Sequence, residues 1–319
     1  METVTSADGT AIAYDRAGEG PVLIVCNGAF STRTAFVAPR DLARQFTVVT
    51  YDRRGRGDSG DVAAAGPFAA EREYEDLAAV AAATGAGTPF VFGHSSGAAI
   101  ALRAVAAGLP VAGVVAYEAP FGNDDTPVPD VDPDARIREL VAAGRNREAV
   151  AFWMTEVVRL PDQALAQLDG AAWVTALEPL ACTLPFDLAV TAGGVPEAEL
   201  GKITVPVLIL GGGDSPSWFR RSVAEQAAAT PGAQLRMLDG FGHNAPADVL
   251  APILIDFLGL PGTPRQRGRR QFRRRQERRP GRQVQRAEGR RRGRVPLRQR
   301  GQVPLLLDQL QHRRVVENV

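Results

Sequence analysis

The sequence predicts an α/β fold: a mostly parallel central sheet with helices on both faces and a helical insert. Three observations predict it. Short unbroken apolar runs, such as Val22-Leu23-Ile24-Val25-Cys26 and Val111–Tyr117, recur along the chain. Strands of that composition are buried on both faces, as parallel strands are. Between them lie segments of helical period, with Tyr74, Leu77, Ala78 and Ala81 at i, i+3, i+4 and i+7 within Glu71–Thr84. Finally, Gly93-His94-Ser95-Ser96-Gly97 follows the apolar run Pro89–Phe92 and precedes a small-residue helix pattern, Ala98–Ala107. That is a serine on a sharp turn between a strand and a helix.

The elements follow in order. Glu2–Thr5, a turn at Asp8-Gly9 and Ala11–Asp15 read as a hairpin. Val22–Cys26 is a buried strand ending in Asn27-Gly28, and Thr47–Tyr51 is a strand running into the charged loop Asp52–Gly60. After the serine turn comes the strand Val111–Tyr117, ending at Glu118-Ala119-Pro120. Residues 121–200 change character and read as short helices broken by prolines, among them Asp134–Ala143 and Arg147–Val158. Strand and helix signals then alternate again: Val205–Leu210, Ser217–Ala229, Gln234–Leu238 and Ala247–Leu258. The expected organisation is a core of residues 1–120 and 201–260, a helical cap at 121–200 over the carboxyl ends of the strands, and a tail at 261–319. Open α/β sheets bind ligands at that carboxyl edge.

Composition narrows the function classes. The chain has 319 residues and is 45 % apolar, enough for a sizeable core. Two cysteines, Cys26 and Cys182, make no disulfide framework and suit a reducing cytosol. Cys26 reads as a packed strand residue with no basic neighbour to lower its pKa. Met1–Thr5 has neither the basic nor the apolar region of a signal peptide, and no apolar run approaches the ~18 residues of a bilayer span. A cytoplasmic protein without a membrane span is expected. The net charge of +1 hides an asymmetry: residues 263–319 carry 19 arginines against 4 acidic residues, +15, and residues 1–262 carry −14.

A serine hydroxyl is a poor nucleophile unless a base takes its proton and a third group orients that base. Of three histidines, His94 sits inside the turn with its ring expected to point away from Ser95, and His312 lies in the tail. His243 remains, in the glycine-bracketed loop Asp239–Asn244 after the last strand. The orienting carboxylate is expected at a strand end between the two, where Asp214 follows Leu208–Gly213.

With these residues in place the chain resembles the α/β-hydrolase superfamily, of the cap-bearing serine-esterase type, over about residues 1–260. The likeness rests on Gly93–Gly97, on Asp52-Arg53-Arg54-Gly55-Arg56-Gly57-Asp58-Ser59, on the carboxylate after the sixth core strand and on the Gly-His loop. The resemblance implies that Ser95 attacks an acyl carbon, that His243 is base then acid, and that Asp214 orients it. It also places an alternative acid at the preceding strand end, Glu118. It implies an oxyanion hole from two backbone N–H groups, those of Ser96 and Ala29. The family carries His-Gly where this chain has Asn27-Gly28. Because the donor is a backbone N–H, the chemistry survives that change.

The expected function is cleavage of a small or medium acyl ester or thioester through an acyl-enzyme, with no cofactor and no metal. Perhydrolase, haloperoxidase-like or lyase chemistry on the same scaffold is the alternative. Phe30, Phe152, Trp153, Trp173 and Trp218 are candidates for the substrate pocket, or for the cap's own core. The Asp52–Ser59 loop is read as structural, its glycines turning and its carboxylates pairing locally. The tail admits nucleic-acid or anionic-membrane binding through its arginines, a disordered solvated extension, or the product of a shifted reading frame. Its composition alone is not evidence of binding.

Overall fold

The computed structural model describes residues 1–60, 69–85, 87–160 and 172–259. The arginine-rich tail at 261–319 lies outside the described residues.

The apolar runs become the strands β1 (Glu2–Thr5), β2 (Ala11–Ala17), β3 (Val22–Cys26), β4 (Thr47–Tyr51), β5 (Phe90–His94), β6 (Gly113–Tyr117), β7 (Val207–Gly212) and β8 (Gln234–Leu238). They form one sheet in the order β1-β2-β4-β3-β5-β6-β7-β8. β1 and β2 pair antiparallel, and β2 joins β4 antiparallel; all the other neighbours are parallel. β2 runs beyond the expected Asp15 because Asp15, Arg16 and Ala17 pair with Thr50, Val49 and Val48.

The helices are α1 (Arg40–Ala43), α2 (Glu71–Ala83), α3 (Ser96–Ala106), α4 (Pro133–Ala142), α5 (Asn146–Phe152), α6 (Ala172–Leu177), α7 (Leu184–Thr191), α8 (Glu197–Leu200), α9 (Ser217–Ala229) and α10 (Ala247–Leu258). A wide π turn, Trp153–Val157, extends α5, and a 3-10 turn, Glu178–Thr183, links α6 to α7. The start of α4 follows from its sequence: Asp132 accepts from the Asp134 N–H and Pro133 occupies the first turn, where its missing N–H costs nothing.

β3 shows why the core strands carry no polar alternation. Val22, Ile24 and Cys26 enter one apolar cluster with α2, α3 and α9, while Leu23 and Val25 enter another with α1 and α10. Side chains alternate across a strand, so covering both faces requires an unbroken apolar run. A third cluster unites Ile137 and Leu140 of α4, Ala149 and Val150 of α5, Trp153, Met154 and Leu177, and meets Phe30 from the loop after β3. The stretch Val174–Thr191 has the length and composition of a bilayer-spanning helix, yet half of it is buried inside the molecule and it carries Asp187 there.

The Asp52–Gly60 loop caps itself locally, as expected, but its arginines pair at long range. Asp52 accepts from the Asp58 N–H at 2.9 Å. The arginines reach outward: Arg54 makes a two-pronged contact with Asp76 of α2 at 2.7 Å, and Arg53 holds Glu73 at 2.7 Å. Arg53, Arg54 and Arg56 are among the largest fully buried side chains. Buried guanidinium groups require carboxylate partners, because an uncompensated interior charge costs several kcal/mol.

Candidate functional site

The register brings the carboxyl ends of the central strands level. Cys26 pairs with Gly93, His94 with Tyr117, and Gly212 with Leu238. β5 leads directly into Ser95 and β6 into Glu118, and the loop after β8 carries His243.

Ser95 has φ 56 and ψ −130, a strained conformation for a side-chain-bearing residue. Its N–H donates to the Tyr117 carbonyl at 2.9 Å, and its own carbonyl accepts from Ala98 and Ala99 as α3 begins. The flanking glycines are required by close approach. A Cβ at Gly93 would stand 2.5 Å from the Ala98 Cα, and one at Gly97 would overlap the Cys26 carbonyl oxygen. Gly28 is required too, since a Cβ there would lie 2.8 Å from the Ser95 Cβ.

His243 faces Ser95. Its Nε2 lies 3.0 Å from the Ser95 Oγ, and its Nδ1 lies 2.8 Å from the Glu118 Oε2. An ionised carboxylate only accepts, so Nδ1 carries the proton and Nε2 is left to accept from the serine hydroxyl. The other Glu118 oxygen, Oε1, accepts from the Gly212 N–H at 2.7 Å. Burial pushes the Glu118 carboxyl up, but His243 and the Gly212 N–H outweigh it and hold Glu118 below the usual glutamate range.

Glu118, and not Asp214, is therefore the carboxylate at His243. Both follow adjacent strands, β6 and β7, and chain order alone does not separate them. Glu118 has φ 49, and this turned backbone together with the longer side chain lets it reach the imidazole. The Asp214 side chain is exposed, while its N–H donates to the Phe241 carbonyl and so helps shape the histidine loop. Among the described residues, four non-glycine residues have positive φ, and three of them stand at this site: Phe30, Ser95 and Glu118. Such strain concentrates at functional positions.

Two further side chains, His94 and Tyr117, hold the histidine loop. His94 turns away from Ser95, as expected, and its Nε2–H donates to the His243 carbonyl at 2.8 Å. The Tyr117 hydroxyl donates to the Gly242 carbonyl. Burial, helped by the nearby His243, pulls His94 down to about 4, so the neutral donor form persists in the folded chain. Between about pH 6.5 and pH 4 the unfolded chain takes up a proton that the folded one refuses, so stability falls as the pH is lowered through that window. The expected loss is about 2–3 kcal/mol. Glu118, depressed rather than raised, adds its loss only below about pH 4.5. His94→Gln keeps a donor without the titration, and urea unfolding at pH 7 and 4.5 should show a smaller pH dependence in the variant. Equal pH dependence in the two proteins refutes this assignment.

Of the pocket candidates, Phe30 and Trp153 meet edge to face at a centroid distance of 6.2 Å, with Phe152 packed against the same cluster. Trp218 stacks on Phe219, whose ring lies 5.2 Å from His243 and which the sequence reading missed. The side chain of Trp173 lies outside the described residues. Ala29 packs beside Phe30, and Ser96 opens α3, where the first four N–H groups of a helix have no partner within it. Cys26 is fully buried against the Tyr51 hydroxyl at 3.0 Å, and burial pushes its thiol up to about 12, which makes it inert. Among the described residues, no group of three or more His, Cys, Asp or Glu is placed to hold a metal ion.

The chain is similar to known proteins in both sequence and shape. The pattern of the Alpha/beta hydrolase family matches residues 23–253. N-formylmaleamate deformylase of Pseudomonas putida is 30 % identical over 275 residues, 80 % of this chain and 96 % of that protein. The crystal structure of an alpha/beta hydrolase from Sphaerobacter thermophilus is 43 % identical with a TM-score of 0.75, covering 81 % of this chain and all of the other. The enol-lactonase of Burkholderia xenovorans LB400, at 21 % identity and a TM-score of 0.60 over 81 % of this chain and all of that one, shares the fold.

Proposed function

The chain is an enzyme of the alpha/beta hydrolase family, and from that premise we propose that it cleaves small or medium acyl esters or thioesters through an acyl-enzyme on Ser95. The observation that carries this is the unbroken hydrogen-bond chain from Ser95 Oγ through His243 to Glu118. As Oγ attacks the acyl carbon, its proton passes to Nε2, and Glu118 stabilises the imidazolium that forms. The carbonyl oxygen becomes an oxyanion facing the N–H groups of Ala29 and Ser96, each worth about 3 kcal/mol of transition-state stabilisation. The tetrahedral intermediate collapses, the leaving group takes the proton from Nε2, and the acyl group remains on Oγ. Water, deprotonated by His243, then attacks the acyl-enzyme, releasing the acid and restoring the serine. The apolar cluster of Phe30, Trp153 and Met154 would border an apolar acyl chain, with the helices between β6 and β7 as the cap above it.

Ser95→Ala is the direct test. It should cut hydrolysis of activated p-nitrophenyl esters by at least about 10³-fold and abolish labelling by a fluorophosphonate, without lowering the melting temperature. Turnover retained in that variant rejects the mechanism. A second reading, hydrolysis of a small N-acyl amide, is favoured by the identity to a protein named a deformylase over 96 % of its length. Comparing kcat/KM on an ester and an N-formyl amide of the same acid separates the two.

A further inference from the structure

Arg53 and Arg56 fill the interior below the site, and the proposed chemistry uses neither. Both converge on one carboxylate, Asp187, which α7 carries inward and which is 1 % exposed. Arg53 Nη1 donates to Asp187 Oδ1 at 2.7 Å and Arg56 Nη2 to Oδ2 at 2.7 Å. The Ser96 hydroxyl donates to the same Oδ1 at 2.5 Å and accepts from Arg53 at 3.1 Å. The second arm of Arg56, Nη1, donates to the Gly28 carbonyl oxygen at 2.6 Å. Arg56 Nε is buried with no partner. A buried donor left unpaired costs about 1–3 kcal/mol.

The Gly28 carbonyl and the Ala29 N–H belong to one peptide unit. In a planar trans peptide these two groups point in opposite directions. A guanidinium that fixes the carbonyl therefore fixes the N–H on the other side, and Gly28 lies directly against Ser95. Ser96, bearer of the other N–H, is held through its hydroxyl by the same carboxylate.

Resting on the serine-hydrolase reading, we propose that Arg56, Asp187 and Arg53 are positioning residues that set both halves of the oxyanion hole. Arg56 orients the Gly28–Ala29 peptide, and Asp187 ties it to the first turn of α3. Because Asp187 belongs to α7, the helical segment between β6 and β7 and the oxyanion donors are set as one unit. Rotation of the Gly28–Ala29 peptide would turn one donor away from Ser95 and leave the triad intact.

The test is the rate at which a fluorophosphonate labels Ser95 in the full chain. The Ser95 oxygen bonds to phosphorus, fluoride leaves, the proton goes to His243, and negative charge grows on the phosphoryl oxygen in the hole. Arg56→Lys keeps the charge beside Asp187, but one ammonium cannot serve both Asp187 and the Gly28 carbonyl. Its second-order labelling rate should fall about 10–100-fold. Labelling should still reach one adduct per chain, and the midpoint of its pH profile should not move, because the His243–Glu118 pair is untouched. A merely structural role would lower the labelled fraction and leave the rate of the folded fraction unchanged. Ser96→Ala strands no buried charge, so it keeps the question open to measurement if Arg56→Lys does not fold; a fall of about 3–10-fold is expected. Wild-type rates in these variants, or a fall accompanied by a shifted pH midpoint, overturn the inference while the serine mechanism stands. A folded wild-type protein that is not labelled at Ser95 overturns both, before any variant is made.

Discussion

Glu118→Gln lowers kcat on an activated ester by about 10⁴-fold, while Asp214→Asn leaves it within about threefold. The first figure is the scale observed when a triad carboxylate becomes an amide. Glu118 Oε1 accepts from the Gly212 N–H, so a glutamine would keep its oxygen there and turn its NH₂ toward His243 Nδ1. That nitrogen would then have to accept, the ring proton would move to Nε2, and no lone pair would face the Ser95 hydroxyl. The geometry would survive with the tautomer reversed. Steady-state kinetics on the two variants, with thermal melts to verify folding, decide between the carboxylates. If Asp214→Asn is the inactive one, the triad drawn from the geometry is wrong.

Gly97→Ala abolishes the fold or lowers its stability by about 4 kcal/mol or more, a loss of about 10 °C in melting temperature for a domain of this size. A Cβ at Gly97 would occupy the space of the Cys26 carbonyl oxygen and crowd the Asn27 backbone. Neither is a flexible side chain, so α3 would have to lift from β3 and take the serine with it. Gly144→Ala is the control: its φ of 72 brings backbone strain, but nothing lies within 4 Å of the added methyl. Substituting it should cost no more than about 1–2 kcal/mol. Similar melting temperatures for the two variants would show that the close approach at Gly97 does not constrain the fold.

These outcomes turn on different kinds of information. The strands 22–26 and 47–51 and the helices 217–229 and 247–258 were legible to the residue, because burial on both faces or on one stripe dictates composition locally; the edge strand 234–238, largely exposed, was legible to the residue as well. Ser95 could be singled out because its glycines and its strand-to-helix setting lie within a few residues of it. His243 could be singled out by elimination, since only three histidines exist and one lies in the tail, and the structure sets the two 3.0 Å apart. The identity of the acid was not legible. Glu118 and Asp214 both end strands of the same sheet, and their distances along the chain say nothing of which faces the imidazole.

The roles of Arg53 and Arg56 were equally hidden. A run of charge between glycines reads as a locally paired turn, and the partners that hold these guanidinium groups inside, Glu73 for Arg53 and Asp187 for both, lie far along the chain, Asp187 131 residues from Arg56. By itself, the sequence determined the α/β class and the boundaries of most core elements, and singled out Ser95 and His243 as candidates. The tertiary structure alone decided which carboxylate meets His243, which side chains hold its loop, and which guanidinium meets the Gly28 carbonyl. The physical reason is range: burial and backbone strain are written in neighbouring residues, whereas a hydrogen bond between strand ends depends on sheet order and on a few ångströms of side-chain reach.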